Sequence, residues 1–245
     1  MKRAGPLALA LACAAAFAAS PAAARDRPPG RAGAGTANPS ALVAAEIAFA
    51  RAAREKGQWT AFREFAADGA VMFTPQPVLA RAWLKDRANP ATALQWQPDT
   101  VWMSCDGTLG VTRGTWQRPD GTTGWFTTVW QRQSKGRGKG GYLWLLDQGD
   151  SAAAPSAPDD MLHASVGECP ARGSRTGPPP GDETAEDDAP PQPPGKTGGG
   201  TSRDGTLGWQ WSVADNGARL FTVTLRKGGA MVEVLRTQVA AAPAG

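Results

Sequence analysis

Residues 151–200 hold 10 Pro and 8 Gly, the acidic run Asp182-Glu-Thr-Ala-Glu-Asp-Asp188 and almost no large apolar side chains. Pro removes backbone donors and Gly raises the entropy lost on ordering, so this composition predicts a disordered linker. It divides the 245-residue chain into two unequal parts. Upstream, apolar residues recur first at helical spacing and then in alternation; downstream, a tail of about forty residues shows alternation alone. The linker is net acidic although the whole chain is +4, and the positive charge elsewhere is spread thinly. That distribution excludes the basic surface of a nucleic-acid binder.

At the N-terminus, Lys2 and Arg3 precede an apolar run from Leu7 to Ala19, and Ala22 and Ala24 complete a small-residue cleavage pattern. This order predicts a signal peptide over residues 1–24 and a periplasmic or secreted protein. The run is interrupted by Pro6 and Pro21 and is shorter than the roughly 20 residues that cross a bilayer, so no membrane span is expected. The alternative is a lipoprotein anchored at Cys13. In an oxidising compartment the remaining thiols, Cys105 and Cys169, can form a disulfide or stay unpaired; spacing alone does not decide.

Residues 25–37 are too poor in apolar groups to order and predict a flexible arm. Asn38-Pro39-Ser40 is a helix start, with Asn38 a capping acceptor and Pro39 at the first turn. A helix over Ala41–Lys56 follows, with Leu42, Ile47, Phe49 and Ala53 as its apolar stripe and Gly57 as its stop. Trp59, Phe62 and Phe65 mark a second helix that Asp68-Gly69 ends. Ala70–Thr74 reads as a strand, and Val78–Arg87 as a third short helix. The period then becomes two. Strands near Thr100–Cys105, Leu109–Gln117, Thr123–Gln133 and Tyr142–Gln148 are separated by Asp-Gly and Gly-rich connections too short for parallel crossovers.

In the tail, Trp209, Trp211 and Val213, then Phe221, Val223 and Leu225, then either Val232 and Val234 or their neighbours Met231 and Leu235 describe a three-stranded β-meander over 201–240. So small a unit cannot stand alone, and it must dock on the first domain or on a partner subunit. One internal echo joins the two parts: Ser104-Cys-Asp-Gly-Thr-Leu-Gly110 matches Ser202-Arg-Asp-Gly-Thr-Leu-Gly208 at all but one position. Either a partial duplication or the convergence of Asp-Gly turns before strands accounts for it.

Four stretches carry a family resemblance: Ala44-Ala-Glu-Ile-Ala-Phe49, Phe65-Ala-Ala-Asp-Gly-Ala-Val71, Gly124-Trp-Phe-Thr-Thr-Val-Trp-Gln-Arg132 and Trp144-Leu-Leu-Asp-Gln-Gly149. With the order helix, helix, strand, helix, strands, residues 40–149 resemble the nuclear-transport-factor-2-like superfamily, also called SnoaL-like or ketosteroid-isomerase-like. The branch they resemble is known only as a domain of unknown function. The resemblance implies an α+β fold: a cone-shaped curved antiparallel sheet packed on about three N-terminal helices over residues 38–150, with an apolar pocket. It also implies isomerases, cyclases, hydrolases and non-catalytic binders as relatives, among which fold does not choose.

Enzymes of that superfamily use a pocket carboxylate as base, with polar partners to hold a developing negative charge. Asp147, on the last strand of the first domain with Leu143 and Leu145 expected on its own face, is the strongest candidate, and Arg113 on a neighbouring strand is its candidate partner. Such a pair resembles part of an epoxide-hydrolase-like arrangement, with Asp106 the available second acid. The plainer account of Asp147 is a solvated strand-end carboxylate, and of Asp68 a turn residue. The single His, His163, falls in the linker and the single Tyr, Tyr142, beside the Gly-rich loop, so neither a His dyad nor a His-rich metal site is expected, and no cofactor is required. Trp130, Thr128, Phe126 and Trp83 are the candidate ligand pocket, though most tryptophans here are accounted for by packing. The loop Ser134–Gly141 opens no helix and reads as a solvated hairpin; Gly195-Lys-Thr197 lacks the upstream Gly of a nucleotide loop. The leading expectation is therefore a module binding a small apolar ligand or another protein chain. The alternatives are an isomerase, cyclase or hydrolase based on Asp147, and a structural module that forms a homodimer through its sheet.

Overall fold

The computed structural model describes residues 37–151, 161–170 and 194–241. The expected signal peptide, Cys13, nearly all of the expected arm and the acidic run of the linker lie outside the described residues. Helix α1 (Pro39–Lys56) begins where the sequence places it: Asn38 Oδ1 accepts from the Ala41 amide at 3.2 Å, and Pro39 occupies the first turn. At Gly57, with φ 101°, the chain turns directly into α2 (Gln58–Phe65). Leu42, Phe49 and Ala53 are buried as expected, but Ile47 is 55% exposed and Glu46 is fully buried in its place. At 3.6 residues per turn, position 47 lies about 140° round the helix from Leu42, whereas position 46 lies about 40° away.

Strand β1 (Ala66–Phe73) starts earlier than expected, so Asp68 lies in a strand and not at a helix-ending turn, near the guanidinium groups of Arg81 and Arg137. Pro77–Leu79 is strand β2 and only Ala80–Leu84 is helix α3, where one helix from Val78 to Arg87 is expected. Then come β3 (Gln95–Met103), β4 (Leu109–Gln117), β5 (Thr123–Arg132) and β6 (Tyr142–Ser151), each antiparallel to the next. The loop between β5 and β6 is more than a solvated hairpin, because Arg137 reaches the carbonyl of Glu64 at 2.6 Å.

The linker expectation is corrected at two places. His163–Val166 forms strand β7, which pairs in parallel with β3, and Thr197–Thr201 forms strand β8, antiparallel to β9. Composition misleads here because a short edge strand needs only backbone groups, which Gly supplies as well as any residue. Cys105 and Cys169 are joined in a disulfide with a Cα separation of 5.1 Å, fastening the end of the β7 segment to the turn between β3 and β4.

The result is one seven-stranded mixed sheet, ordered β2-β1-β6-β5-β4-β3-β7, and one four-stranded antiparallel sheet, β11-β10-β9-β8. The tail strands are β9 (Leu207–Val213), β10 (Arg219–Lys227) and β11 (Ala230–Val239), so the expected meander gains β8 as a fourth strand. Both faces of the larger sheet are covered. On one, Leu42, Phe49, Phe62 and Leu84 of the helices pack with Val101, Met103, Trp130 and Trp144. On the other, Trp102, Leu109, Val111, Val129 and Leu146 pack with Leu207, Trp209, Trp211, Phe221, Val223 and Leu225 of the smaller sheet. The tail docks on the first domain. Within the smaller sheet, Gly198 and Gly200 of β8 make room for the rings of their register partners Trp211 and Trp209: a Cβ on Gly198 would come within 2.6 Å of the Trp211 ring.

The two echo turns hold each other. In each, the Asp side chain bonds the Ser and Thr hydroxyls of its own turn: Ser104 and Thr108 donate to Asp106 Oδ1 at 2.6 and 2.8 Å, and Ser202 and Thr206 to Asp204 Oδ1 at 2.7 and 2.8 Å. The second carboxylate oxygen then crosses over. The Asp106 amide donates to Asp204 Oδ2 at 2.8 Å, and the Asp204 amide to Asp106 Oδ2 at 3.1 Å. Equal sequence has produced equal turns, paired reciprocally across the two sheets.

Candidate functional site

Because strands alternate faces, β4, β5 and β6 send Thr112, Thr128 and Asp147 toward the helices. Behind them, α1 supplies Glu46. Its Oε1 accepts from Trp96 Nε1 at 2.8 Å, and its Oε2 accepts from Trp130 Nε1 at 3.0 Å and lies 2.6 Å from Thr112 Oγ1. Burial holds this carboxyl above the usual range, although the three hydrogen bonds pull the other way. Asp147 Oδ2 accepts from Thr128 Oγ1 at 2.8 Å. Burial pushes the Asp147 carboxyl up to about 7; the Thr128 bond opposes this, the charge of Glu46 adds to it, and that of Arg219 opposes it.

Asp147 opens onto a cavity of about 300 Å³ whose lining includes Phe49, Gln58, Trp59, Phe62, Met72, Leu94, Trp96, Trp116, Arg118 and Phe126. Gln58 Oε1 accepts from the Leu94 amide at 3.0 Å, which fixes the loop before β3 as one wall. The Arg118 guanidinium lies 5.0 Å from the centre of the Trp116 ring. The end of β6, from Gly149 to Ser151, completes the lining.

Of the residues singled out from sequence, Asp147 and Phe126 line this cavity. Thr128 is fully buried and acts on Asp147 through its hydroxyl. Trp130 is fully buried, bonded to Glu46 and edge-on to Phe49 at 5.9 Å, so it supports the wall from behind. Trp83 lies elsewhere, 6.0 Å from Trp59 and stacked by Arg87. Arg113 is corrected as a partner of Asp147. It shares its strand face with Val111, which packs against the smaller sheet, while Thr112 between them points to Glu46. Asp106 is committed to the paired turns and supplies no second acid to the cavity.

Sequence reasoning overlooked Glu46, Gln58, Trp59 and Arg118 as parts of this site. For Glu46 a signal existed, since it falls on the apolar stripe at four residues from Leu42 and three from Phe49. A second cavity, about 890 Å³, lies over the smaller sheet and is lined by glycines of β8, by Trp209 and Trp211 of β9, by Thr222 and Thr224 of β10 and by Glu233 and Arg236 of β11. Among the described residues no three of His, Cys, Asp and Glu gather into a metal-holding group, and no helix is long and apolar enough to cross a membrane.

No family model matches the chain. Nor does any curated protein match it. Among solved structures, the chain is similar to one from Novosphingobium aromaticivorans described as a candidate aromatic ring hydroxylase, at 14% identity and a TM-score of 0.33, over 47% of this chain and 89% of that one. A likeness at that level carries no functional weight.

Proposed function

We propose that residues 38–151 form a binding module for a small, largely apolar molecule, built on the cone-shaped plan of the nuclear-transport-factor-2-like superfamily. The observation that carries this is the aromatic cavity with one carboxyl in its lining. Its volume, about 300 Å³, sits at the small end of the range for ligand sites, and its lining combines apolar walls with few polar groups. The Cys105–Cys169 disulfide and the leader-like N-terminus both support a periplasmic or secreted location.

Saturation of tryptophan emission quenching by 2-naphthol, a neutral two-ring probe, tests the binding reading. We expect one saturable site per chain, weakened at least tenfold by Leu94→Trp, which fills the cavity from its loop wall. Quenching that does not saturate, or that Leu94→Trp leaves unchanged, overturns it. A second reading, removal of a carbon-bound proton by Asp147, is favoured by a carboxyl that titrates at about 7. It predicts exchange of the α-hydrogens of 2-tetralone with deuterated water, abolished by Asp147→Asn; exchange equal to buffer alone rejects it.

A further inference from the structure

We propose that the ligand of the aromatic cavity is a compact organic cation, an ammonium group carried on an apolar body, with Asp147 as its counter-ion. This rests on the binding reading above and adds the charge of the ligand to it. Three observations point the same way. The first is the state of the Asp147 carboxyl. Oδ2 is occupied by the Thr128 hydroxyl, while Oδ1 receives no donor among the described residues, and no Lys or Arg lies within ion-pair distance. A half-buried carboxyl with one oxygen open to the cavity is placed to receive a positive partner.

The second is the wall. Phe49, Trp59, Trp96, Trp116 and Phe126 surround the space in front of that carboxyl. Aromatic faces carry negative potential and attract a weakly hydrated cation within about 6 Å of the ring centre, most strongly where water is excluded. One ring of this wall already does so at the rim, where Arg118 lies against Trp116 at 5.0 Å.

The third is the sum of nearby charges. From α1, Glu46 stands behind Trp96 and bonds its indole N–H; from β6, Asp147 and Asp150 reach the lining. Against them stand Arg118, at the end of β4, and Arg219, which comes from β10 on the far side of the sheet and bonds Gln148 Oε1 at 2.8 Å. The α2, β1, β3 and β5 residues of the lining are uncharged. An anionic ligand meets the carboxyl groups of Asp147 and Asp150 in the lining, and a neutral one leaves Asp147 without a charged partner. A cation completes the site. Because the Asp147 carboxyl titrates at about 7 when the cavity is empty, binding a cation at neutral pH expels a proton from it.

The test compares phenyltrimethylammonium with tert-butylbenzene, its neutral isostere, on the full chain by titration calorimetry and tryptophan quenching. The quaternary ammonium has no proton to lose, so any pH dependence belongs to the protein. We expect the cation to bind at least tenfold more tightly than the isostere at pH 8.5, and to weaken about tenfold or more by pH 5.5 as Asp147 is protonated. Tert-butylbenzene should hold its affinity across that range. Asp147→Asn should erase the preference while keeping tert-butylbenzene binding, which serves as the control for a folded cavity. Equal affinity for the two probes overturns the cation assignment and leaves the binding reading standing. A preference for the cation that survives Asp147→Asn, or that is the same at pH 5.5 and 8.5, overturns the role of Asp147. If neither probe nor 2-naphthol binds, the binding reading itself fails.

Discussion

The two faces of the seven-stranded sheet are built by alternate residues of the same strands, yet one is mostly apolar core, with the Arg219–Gln148 bond as its main polar contact, while the other holds two carboxyl groups and a cavity. Toward β8–β11, Leu109, Val111, Val129 and Leu146 meet Leu207, Phe221, Val223 and Leu225, each almost wholly buried. Toward the helices, Glu46, Thr112 and Thr128 are just as buried, and Asp147 opens on the aromatic space. Length explains part of the difference. The ten residues of β6 run about 33 Å, whereas the eight of α2, the helix beside it, cover about 12 Å, so the end of β6 is left open while the eighteen residues of α1 lie over β3 and β4. In the smaller sheet β10 and β11, of nine and ten residues, match that length. A face covered by something as long as itself becomes core; a face covered in part becomes a site.

The most damaging way to break this contrast is on the apolar side. Phe221→Ala removes a fully buried ring between the sheets and is expected to cost about 3–5 kcal/mol in chemical denaturation. It should leave 2-naphthol affinity within about twofold wherever the protein remains folded. An equal loss of binding would mean that the faces are not independent.

On the polar side, Glu46→Ala strands the indole N–H of Trp96, removes the acceptor of the Thr112 hydroxyl and leaves Trp130 only Thr112 Oγ1 at 2.9 Å, and a loss of about 2–4 kcal/mol is expected. Glu46→Gln keeps an acceptor and nearly the same volume, so its cost should stay within about 1 kcal/mol; the two denaturation midpoints measured side by side decide this. A Gln variant as unstable as the Ala variant would show that Glu46 acts as an anion in the fold.

Asp147 sharpens the comparison through pH. Its folded carboxyl titrates at about 7 and an unfolded one near 3.9, so the folded state binds the proton more tightly. The associated stability is fully present below about pH 4, is lost as pH rises to about 7, and changes little above that. Asp147→Asn should therefore flatten the melting temperature between pH 4 and 7 relative to wild type. At pH 8 it should be the more stable of the two, by about 1–2 kcal/mol after allowance for the part of the side chain that meets solvent. Parallel curves for the two proteins would contradict the raised carboxyl.

The smallest effect lies on the apolar face. The Thr127 hydroxyl is buried there with no hydrogen-bond partner. Thr127→Val should be neutral or stabilise by about 1 kcal/mol, measured as a denaturation midpoint. A clear destabilisation would indicate an ordered water in that position.

Much of this was legible before any coordinates. The Asn38 cap, the Gly57 stop, the four-strand antiparallel run and the alternating Trp209, Trp211, Phe221 and Val223 are local patterns, and the structure reproduces them. Glu46 was legible in principle from the helical angle, but Ile47 drew the stripe toward itself because hydrophobicity was weighted above periodicity. Strand β7 was not legible because its partner β3 lies about sixty positions upstream, and β8 was not because its run of glycines carries no alternating pattern, although its partner β9 follows directly. The separation of Arg113 from Asp147 depends on which face each strand presents.

By itself the sequence determined the elements: period, caps and turn residues act within a few positions, so they can be read within a few positions. It also determined that the tail had to bury one face. Tertiary structure alone decided which surface receives that face, that two identical turns clasp each other, and that Asp147 stands beside Glu46 and not beside Arg113. Those outcomes depend on contacts between residues up to about a hundred positions apart, where strand register and layer order set the neighbours and no local pattern records them.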